Sequence, residues 1–248
     1  MSGLLAALQF LTILPVKRDF TGEQIGRSTL WFPVVGLIIG AILWVLHYVL
    51  ALVLPTTLVN GLVLAALILV SGGLHLDGLA DTIDGLAGHR TPERRLEIMH
   101  DSRIGAMGAA GLFLFLIIEY VALINIQERY IPFALLLVPV VSRWAMVFSI
   151  FSYPYARPEG LGKAFKQGVR WQEFLIATFV AVVLAVILFQ IAGLVIVAIV
   201  LLIVTLAALY FKRQLRGLTG DTYGAINEIA LIAALLSINM LIYNHWLL

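Results

Sequence analysis

Long apolar runs dominate the chain and determine its predicted architecture. A membrane-spanning helix needs about 20 mostly apolar residues, and candidate spans lie at 31–54, 61–77, 105–124, 132–152, 174–190, 194–211 and 225–244. The stretch 174–211 is long enough for two passes with a turn near Gln190 and Gly193, so its division leaves six or seven spans open. We expect residues 3–14 to form a short interfacial or re-entrant helix. The predicted fold class is therefore all-α, a polytopic transmembrane helical bundle.

The composition supports one membrane domain over residues 1–248. Of the 248 residues, 62% are hydrophobic and 12% are charged, whereas a soluble domain is about 45–50% apolar and about 25% charged. The lipid bilayer is thus an expected partner. The net charge of +2 is too small to suggest nucleic acid. Because the chain has no cysteine, disulfides, thiolate metal sites and a cysteine nucleophile are excluded.

The basic residues predict which loops face the cytoplasm, because short cytoplasmic loops are enriched in Lys and Arg. With seven spans and a cytoplasmic N-terminus, fourteen of the sixteen basic residues lie inside, Arg129 lies outside, and Arg143 lies within a span. The fourteen are Lys17, Arg18, Arg27, Arg90, Arg94, Arg95, Arg103, Arg157, Lys163, Lys166, Arg170, Lys212, Arg213 and Arg216. We therefore expect a multi-pass membrane protein whose active site faces the cytoplasm.

One short segment carries the main candidate for chemistry. Asp77, Asp81 and Asp84 follow an apolar run at i, i+4 and i+7, which places them on one face of a helix. Like charges so close repel each other unless a proton or a cation intervenes. Ligation by oxygen alone suits a hard ion such as Mg²⁺, which binds a few carboxylates together with water and substrate phosphate. The sequence therefore predicts these aspartates as metal-binding and catalytic residues, with Mg²⁺ as the cofactor.

Further candidates flank this segment. His75 fits two interpretations, an acid–base group in catalysis or a structural residue at the interface. Asp101 precedes one span, and Asp221 and Glu228 lie at the start of another, seven residues apart and so on one helical face. We predict all three as metal ligands. Acidic motifs at the ends of different helices would then hold metal between them, an arrangement that suits a diphosphate substrate.

Basic and polar side chains are the candidates for substrate binding. Arg143 and Glu119 are the charges deepest in the spans, where charged residues normally face the bundle interior. Either the two side chains pair with each other, or Arg143 binds a phosphate of the substrate. The loop 157–166 either closes over an anionic substrate or only satisfies the positive-inside bias. The predicted substrate-binding residues are Arg103, Arg143, Lys163, Lys166 and Asn227.

Several motifs give the chain a resemblance to a known family. They are GGLHLDGLADTIDGL (72–86), DSRIGAMG (101–108), EGLGKAF (159–165) and LTGDTYGAINE (218–228), with QFLTILP (9–15) and FPVVG (32–36) near the N-terminus. Together they strongly resemble the cobalamin-5′-phosphate synthase family, also called adenosylcobinamide-GDP ribazoletransferase. The similarity covers essentially the whole chain.

The resemblance implies a magnesium-dependent transferase at a late step of cobalamin (vitamin B12) assembly. The 3′-hydroxyl of α-ribazole, or of its 5′-phosphate, would attack the phosphorus bonded to the cobinamide side chain. GMP would leave, giving adenosylcobalamin or its 5′-phosphate. The motifs assign the metal and catalytic roles to Asp77, Asp81, Asp84, Asp101 and Asp221. Which aspartate is the base stays open, as does assembly into a homo-oligomer or a complex with other cobalamin-assembly enzymes.

Three other interpretations fit less well. CDP-alcohol phosphotransferases perform analogous chemistry, but Asp81 and Thr82 stand where their motif has Ala and Arg, so phospholipid synthesis is the second choice among enzymes. An ion-coupled transporter normally has its site near the membrane midplane, often between inverted repeats, whereas these acids crowd one face. A passive membrane anchor does not explain five grouped aspartates.

Overall fold

The computed structural model describes residues 2–16 and 18–246, which are almost entirely helical; Lys17, assigned above to the cytoplasmic side, lies outside them. The α-helices are α1 (Ser2–Leu11), α2 (Gly22–Arg27), α3 (Phe32–Ala51), α4 (Thr56–Val70), α5 (Leu74–Leu86), α6 (Pro92–Ile98), α7 (Ala106–Ile124), α8 (Ile131–Ser152), α9 (Leu161–Gly168), α10 (Trp171–Leu215) and α11 (Gly220–Tyr243). Short 3-10 helices precede α3 and α8, at Ser28–Trp31 and Glu128–Tyr130. The described residues form no β-strand, only an isolated bridge between Tyr155 and Leu218.

Helices α8 and α11 form the centre of the bundle. In their most apolar stretches 83% and 72% of the residues are buried, against 22% in α7, which faces outward. Helix α3 packs closely on α8, where a Cβ at Gly36 would overlap the backbone of Pro139 and one at Gly40 would lie 2.5 Å from the Leu135 carbonyl oxygen. Small residues thus bring the backbones of the two helices together, as is usual between membrane helices.

Helix α10 reverses direction in its middle. Its 45 residues are interrupted at Gln190, whose φ of 54° and ψ of −136° are not helical. A Cβ at Gly193 would overlap the carbonyl oxygen of Ala185, whereas residues eight apart in a straight α-helix are separated by about 12 Å. The two arms therefore lie side by side as a helical hairpin. The turn that the sequence offers near Gln190 and Gly193 is present, and it divides 174–211 into two arms.

Helices α4 and α5 meet at a sharp bend that shortens the predicted span 61–77. Helix α4 ends at Val70, and the chain then passes through Gly72 and Gly73, with φ of 65° and 68°, where most side chains would be strained. The axis turns by 86° into α5. Because α5 carries the three aspartates and turns away from the apolar run, we regard it as lying across one end of the bundle, outside the membrane-spanning segments.

The candidate passes are α3, α4, α7, α8, the two arms of α10, and α11. Five apolar segments, one of them α10, are long enough to cross a membrane, and the bent pair α4–α5 is a sixth candidate. Helix α1 has 10 residues, too few to cross, and ends at Leu11 rather than at residue 14. We call the end of the bundle where α7 and α11 begin the site end. The all-α, multi-pass bundle predicted from the sequence is confirmed.

Candidate active site

Helix α5 crosses the first turns of α11 at two glycines. A Cβ at Gly78 would lie 2.7 Å from the carbonyl oxygen of Asp221, and a Cβ at Gly224 would lie 3.1 Å from the carbonyl oxygen of His75. Only glycine permits so close a crossing of the two backbones. The crossing brings the α5 aspartates beside the start of α11, where Asp221 lies.

Three carboxylates meet at this crossing, and we call Asp77, Asp81 and Asp221 the acidic centre. Partial burial, reinforced by the charges of Asp77 and Asp221, raises the pKa of Asp81 to about 7, although the charge of Arg157 opposes the rise. A raised pKa is expected where like charges converge. Asp77 and Asp81 were predicted to share one face of a helix, and Asp221 of α11 lies near that face.

Arg157 joins the acidic centre, although it was not singled out as a site residue. Its Nη2 lies 2.6 Å from Oδ2 of Asp221, and both side chains are about four-fifths buried, with 20% and 21% exposed. Two backbone hydrogen bonds position it, from the Leu218 N–H to the Pro154 carbonyl and from the Ala156 N–H to the Leu218 carbonyl, each 2.8 Å long. The loop after α8 is thereby tied to the loop before α11.

Asp84 has a different task from its neighbours on α5. Its two carboxylate oxygens accept hydrogen bonds from the backbone N–H groups of Gly105 at 2.7 Å and Gly108 at 2.8 Å. These donors open α7, so Asp84 caps that helix from another element, and its charge favours the positive end of the helix dipole. A Cβ at Gly105 or Gly108 would overlap the Asp84 carboxylate. The metal role predicted for Asp84 stays a prediction.

A cleft of about 780 Å³ opens beside the acidic centre. Asp77, Asp221 and Arg157 line it on one side. Apolar residues of α1, α8 and α9 line another: Phe10, Met146, Ile150, Leu161 and Phe165. The Phe10 and Phe165 rings pack with centroids 4.6 Å apart, so α9 is held firmly against α1. The cleft therefore joins a charged region to an apolar one, as ligand sites usually do.

His75 lies at the edge of the cleft and is almost completely buried, with 1% of its surface exposed. Neither ring nitrogen has a hydrogen-bond partner among the described residues. Buried polar groups normally have partners, so a group that enters the cleft would complete its hydrogen bonding. The acid–base and structural interpretations of His75 both stay open.

A second charged group lies deeper in the bundle, between α7, α8 and α11. Arg143 is fully buried and interacts electrostatically with Glu228 and Glu119, while Asn227 donates a hydrogen bond of 2.9 Å to Glu228. None of the four lines the cleft. Glu228 is thus brought to Arg143 rather than to Asp221, because seven residues advance a helix by about 10 Å. The pairing interpretation of Arg143 and Glu119 and the phosphate-binding interpretation of Arg143 both stay open.

The remaining predicted residues lie away from the acidic centre. Asp101 and Arg103 pair with each other at the surface, 2.7 Å apart, and this pairing lowers the pKa of Asp101 to about 2. Lys163 donates to the carbonyl of Pro158, and Lys166 donates to the Phe151 carbonyl at 2.7 Å. Neither lysine lines the cleft, although Gly160, Leu161 and Gly162 of the same loop do.

The donor chemistry of the acidic centre fits Mg²⁺. In the described part of the chain no three His, Asp or Glu side chains are arranged to hold a metal ion unaided. Magnesium does not need such a cage, because it is usually bound by one or two carboxylates, with water and substrate phosphate completing the shell. Asp77, Asp81 and Asp221 offer oxygen ligands of that kind beside an open cleft.

Comparisons with known proteins agree on one family. Residues 3–239 match the family model described as cobalamin-5-phosphate synthase. The chain is 39% identical to an adenosylcobinamide-GDP ribazoletransferase of Roseiflexus sp. (strain RS-1), over 94% of this chain and 88% of that protein. It is 40% identical to the protein of that name from Geotalea daltonii, over 94% of both, and 36% identical to that from Desulfitobacterium hafniense, over 98% of both. No solved structure matches the chain.

Proposed function

The chain belongs to the cobalamin-5-phosphate synthase family, and we propose that it joins α-ribazole to the corrinoid part of adenosylcobinamide-GDP at the acidic centre. The observation that carries this proposal is the meeting of Asp77 and Asp81 of α5 with Asp221 of α11 beside the cleft. All three lie in the motifs that the chain shares with the family. The product is adenosylcobalamin, or its 5′-phosphate when α-ribazole 5′-phosphate is the acceptor.

The reaction transfers a substituted phosphoryl group from a diphosphate to an alcohol. The 3′-oxygen of α-ribazole forms a bond to the phosphorus attached to the cobinamide side chain, the bond from that phosphorus to the bridging oxygen breaks, and GMP leaves. The hydroxyl proton passes to a carboxylate of the acidic centre. Asp81, whose pKa is about 7 in the metal-free protein, is suited to receive it when it is not itself a ligand of the ion.

Magnesium is part of the proposal. Asp77 and Asp221, which line the cleft, would hold it together with water and substrate phosphate, and the bound ion would neutralise charge on the diphosphate during transfer. Arg157 would also neutralise charge on the diphosphate, since its guanidinium lies at the acidic centre and fits phosphate oxygens well. A substrate packed on the apolar wall of the cleft would exclude water, which would strengthen these electrostatic interactions.

The size of the cleft limits which part of the substrates enters it. A volume of about 780 Å³ is typical of sites for drug-sized ligands, so it accommodates the diphosphate and the acceptor nucleoside rather than a whole corrinoid nucleotide. The corrin ring then rests at the mouth of the cleft. We propose that the site end faces the cytoplasm of a bacterial or archaeal cell, because the basic residues of the loops collect there.

The test uses the purified full-length protein in detergent or lipid vesicles with adenosylcobinamide-GDP and α-ribazole. We expect GMP and the joined corrinoid to appear in equal amounts with Mg²⁺ and neither to appear with a chelator. A parallel reaction with α-ribazole 5′-phosphate identifies the preferred acceptor. Absence of GMP with both acceptors and Mg²⁺ would refute the proposal.

A further inference from the structure

Tyr223 has a buried hydroxyl group that finds no hydrogen-bond partner among the described residues. Its side chain is 2% exposed, it lines the cleft, and its oxygen makes no hydrogen bond to any described residue. A buried polar group left unpaired costs about 1–3 kcal/mol, so such groups are uncommon unless a ligand or water completes them. We therefore expect a ligand that enters the cleft to be the hydrogen-bond partner of this hydroxyl.

The fold holds this hydroxyl in place. Tyr223 lies in the first turn of α11, two residues after Asp221 and next to Gly224, which packs on the backbone of His75. Its ring packs against that of Tyr155, with centroids 6.3 Å apart. Tyr155 also lines the cleft, and the backbone of Gly220 interacts with its hydroxyl oxygen. Of these two neighbouring tyrosines, Tyr223 is the one whose buried hydroxyl has no hydrogen-bond partner among the described residues.

The chemistry of the surroundings favours an anionic oxygen as the missing partner. A phenol is a good donor, and its strongest acceptors are charged oxygens. Asp221 is not that acceptor, because residues two apart on a helix do not face each other and no such bond is formed. Since three carboxylates surround the reacting position, an uncharged donor offsets the charge of an incoming phosphoryl group without pairing with the carboxylates that the reaction needs.

We propose that Tyr223 is a catalytic residue whose hydroxyl donates a hydrogen bond to a non-bridging oxygen of the phosphoryl group being transferred. This inference rests on the proposed function and adds to it a donor that none of the charged motifs supplies. The bond strengthens as negative charge builds up on that oxygen during transfer. Tyr223 therefore acts on the rate of the chemical step more than on the binding of α-ribazole.

The test compares Tyr223→Phe with the wild-type protein at varied concentrations of both substrates. We expect kcat to fall about 10- to 100-fold, as is typical when a hydrogen bond to a charged group is lost, with the KM for α-ribazole nearly unchanged. Tyr120→Phe is the matched control, because Tyr120 donates to the Thr57 carbonyl away from the cleft. Its kcat should equal that of the wild type.

Thermal unfolding separates this role from a structural one. Removing an unpaired buried hydroxyl should leave the Tm of Tyr223→Phe equal to or above that of the wild type. A wild-type kcat in this variant would overturn the inference, as would a lowered Tm or a rise confined to the KM for α-ribazole. A wild-type protein that releases no GMP would instead refute the proposed function, so the two failures are distinguishable.

Discussion

The aspartates of α5 differ in what surrounds them, although they repeat at helical spacing. Asp77 lines the cleft, and Asp84 accepts two backbone hydrogen bonds from the start of α7. The pKa of Asp81 is raised by the charges of Asp77 and Asp221. The sequence supports the common helix and the common face, because both depend only on local periodicity. It does not reveal these separate tasks, since each depends on the helix that α5 meets.

Substitutions at Asp84 separate capping from metal binding. Asparagine also caps helices well, whereas alanine does not, and loss of a cap costs about 0.5–2 kcal/mol. We expect Asp84→Ala to lower the Tm clearly and Asp84→Asn to lower it less while keeping most of the activity. Thermal unfolding and GMP release measure the two effects. If Asp84→Asn keeps the Tm but loses all activity, a charged ligand role is indicated instead.

The pKa of Asp81 makes stability depend on pH. Since the folded-state pKa is about 7 and the ordinary value is 3.8, the folded protein keeps a proton that the unfolded chain releases between these two values. The free energy of unfolding therefore falls as the pH rises through that window and levels off above it. Melting curves recorded without Mg²⁺ should show this fall, and Asp81→Asn should reduce it. The same slope in both proteins would contradict the proposed crowding of carboxylates.

Two residue assignments show the limits of sequence reasoning. Arg157 reaches Asp221 through a backbone bridge between two loops far apart in the chain, a contact that no spacing indicates. Glu228 shares a helical face with Asp221, yet it pairs with buried groups of α7 and α8. Periodicity shows which residues share one face of a helix. It does not show which neighbouring side chains each of them meets along the length of that helix.

At the level of elements, the crossing of α5 and α11 determines whether the acidic centre forms. Glycine motifs in the sequence indicate close packing, but they do not identify the partner helix. The 86° bend after α4 was also beyond prediction, because an apolar run that continues past Gly72 and Gly73 looks like one longer span. Gly72 and Gly73 form the bend that directs α5 across the end of the bundle.

Gly78→Ala tests the importance of this crossing. The added Cβ would lie 2.7 Å from the carbonyl oxygen and 3.0 Å from the Cα of Asp221, so the backbones must separate. A misplacement of about 1 Å can cost about 100-fold in rate, and we expect GMP release to fall by about that factor. Gly61→Ala is the control, because its nearest neighbour, at 3.6 Å, allows ordinary contact. Equal rates in the two variants would show that the crossing is dispensable.

At the scale of the whole molecule, the helical hairpin of α10 supplies two of the seven candidate passes. The apolar runs predicted the multi-pass helical bundle, because span length is set by the bilayer itself, and the sidedness inferred from loop charge stays a prediction. The arrangement of the helices around α8 and α11 was not predictable, since lipid-facing and buried positions are both apolar.

The natural absence of cysteine offers a direct test of sidedness. Single cysteines at Gln190, in the turn of the hairpin, and at Glu159, in the loop at the cleft, should react differently with a membrane-impermeant thiol reagent. We expect Gln190→Cys to be labelled in intact cells and Glu159→Cys only after the membrane is opened. Labelling of both in intact cells would contradict the cytoplasmic position of the cleft.

The rate of GMP release by Asp81→Asn, measured with Mg²⁺ beside the wild type, tests the acidic centre most directly. Glu23→Gln is the matched control, because Glu23 is an exposed carboxylate paired with Arg27 on α2. If Asp81 works with Asp77 and Asp221 in the transfer, Asp81→Asn will still insert into the membrane but release no GMP, and Glu23→Gln will retain the wild-type rate. Undiminished release of GMP by Asp81→Asn would contradict a catalytic centre at this crossing.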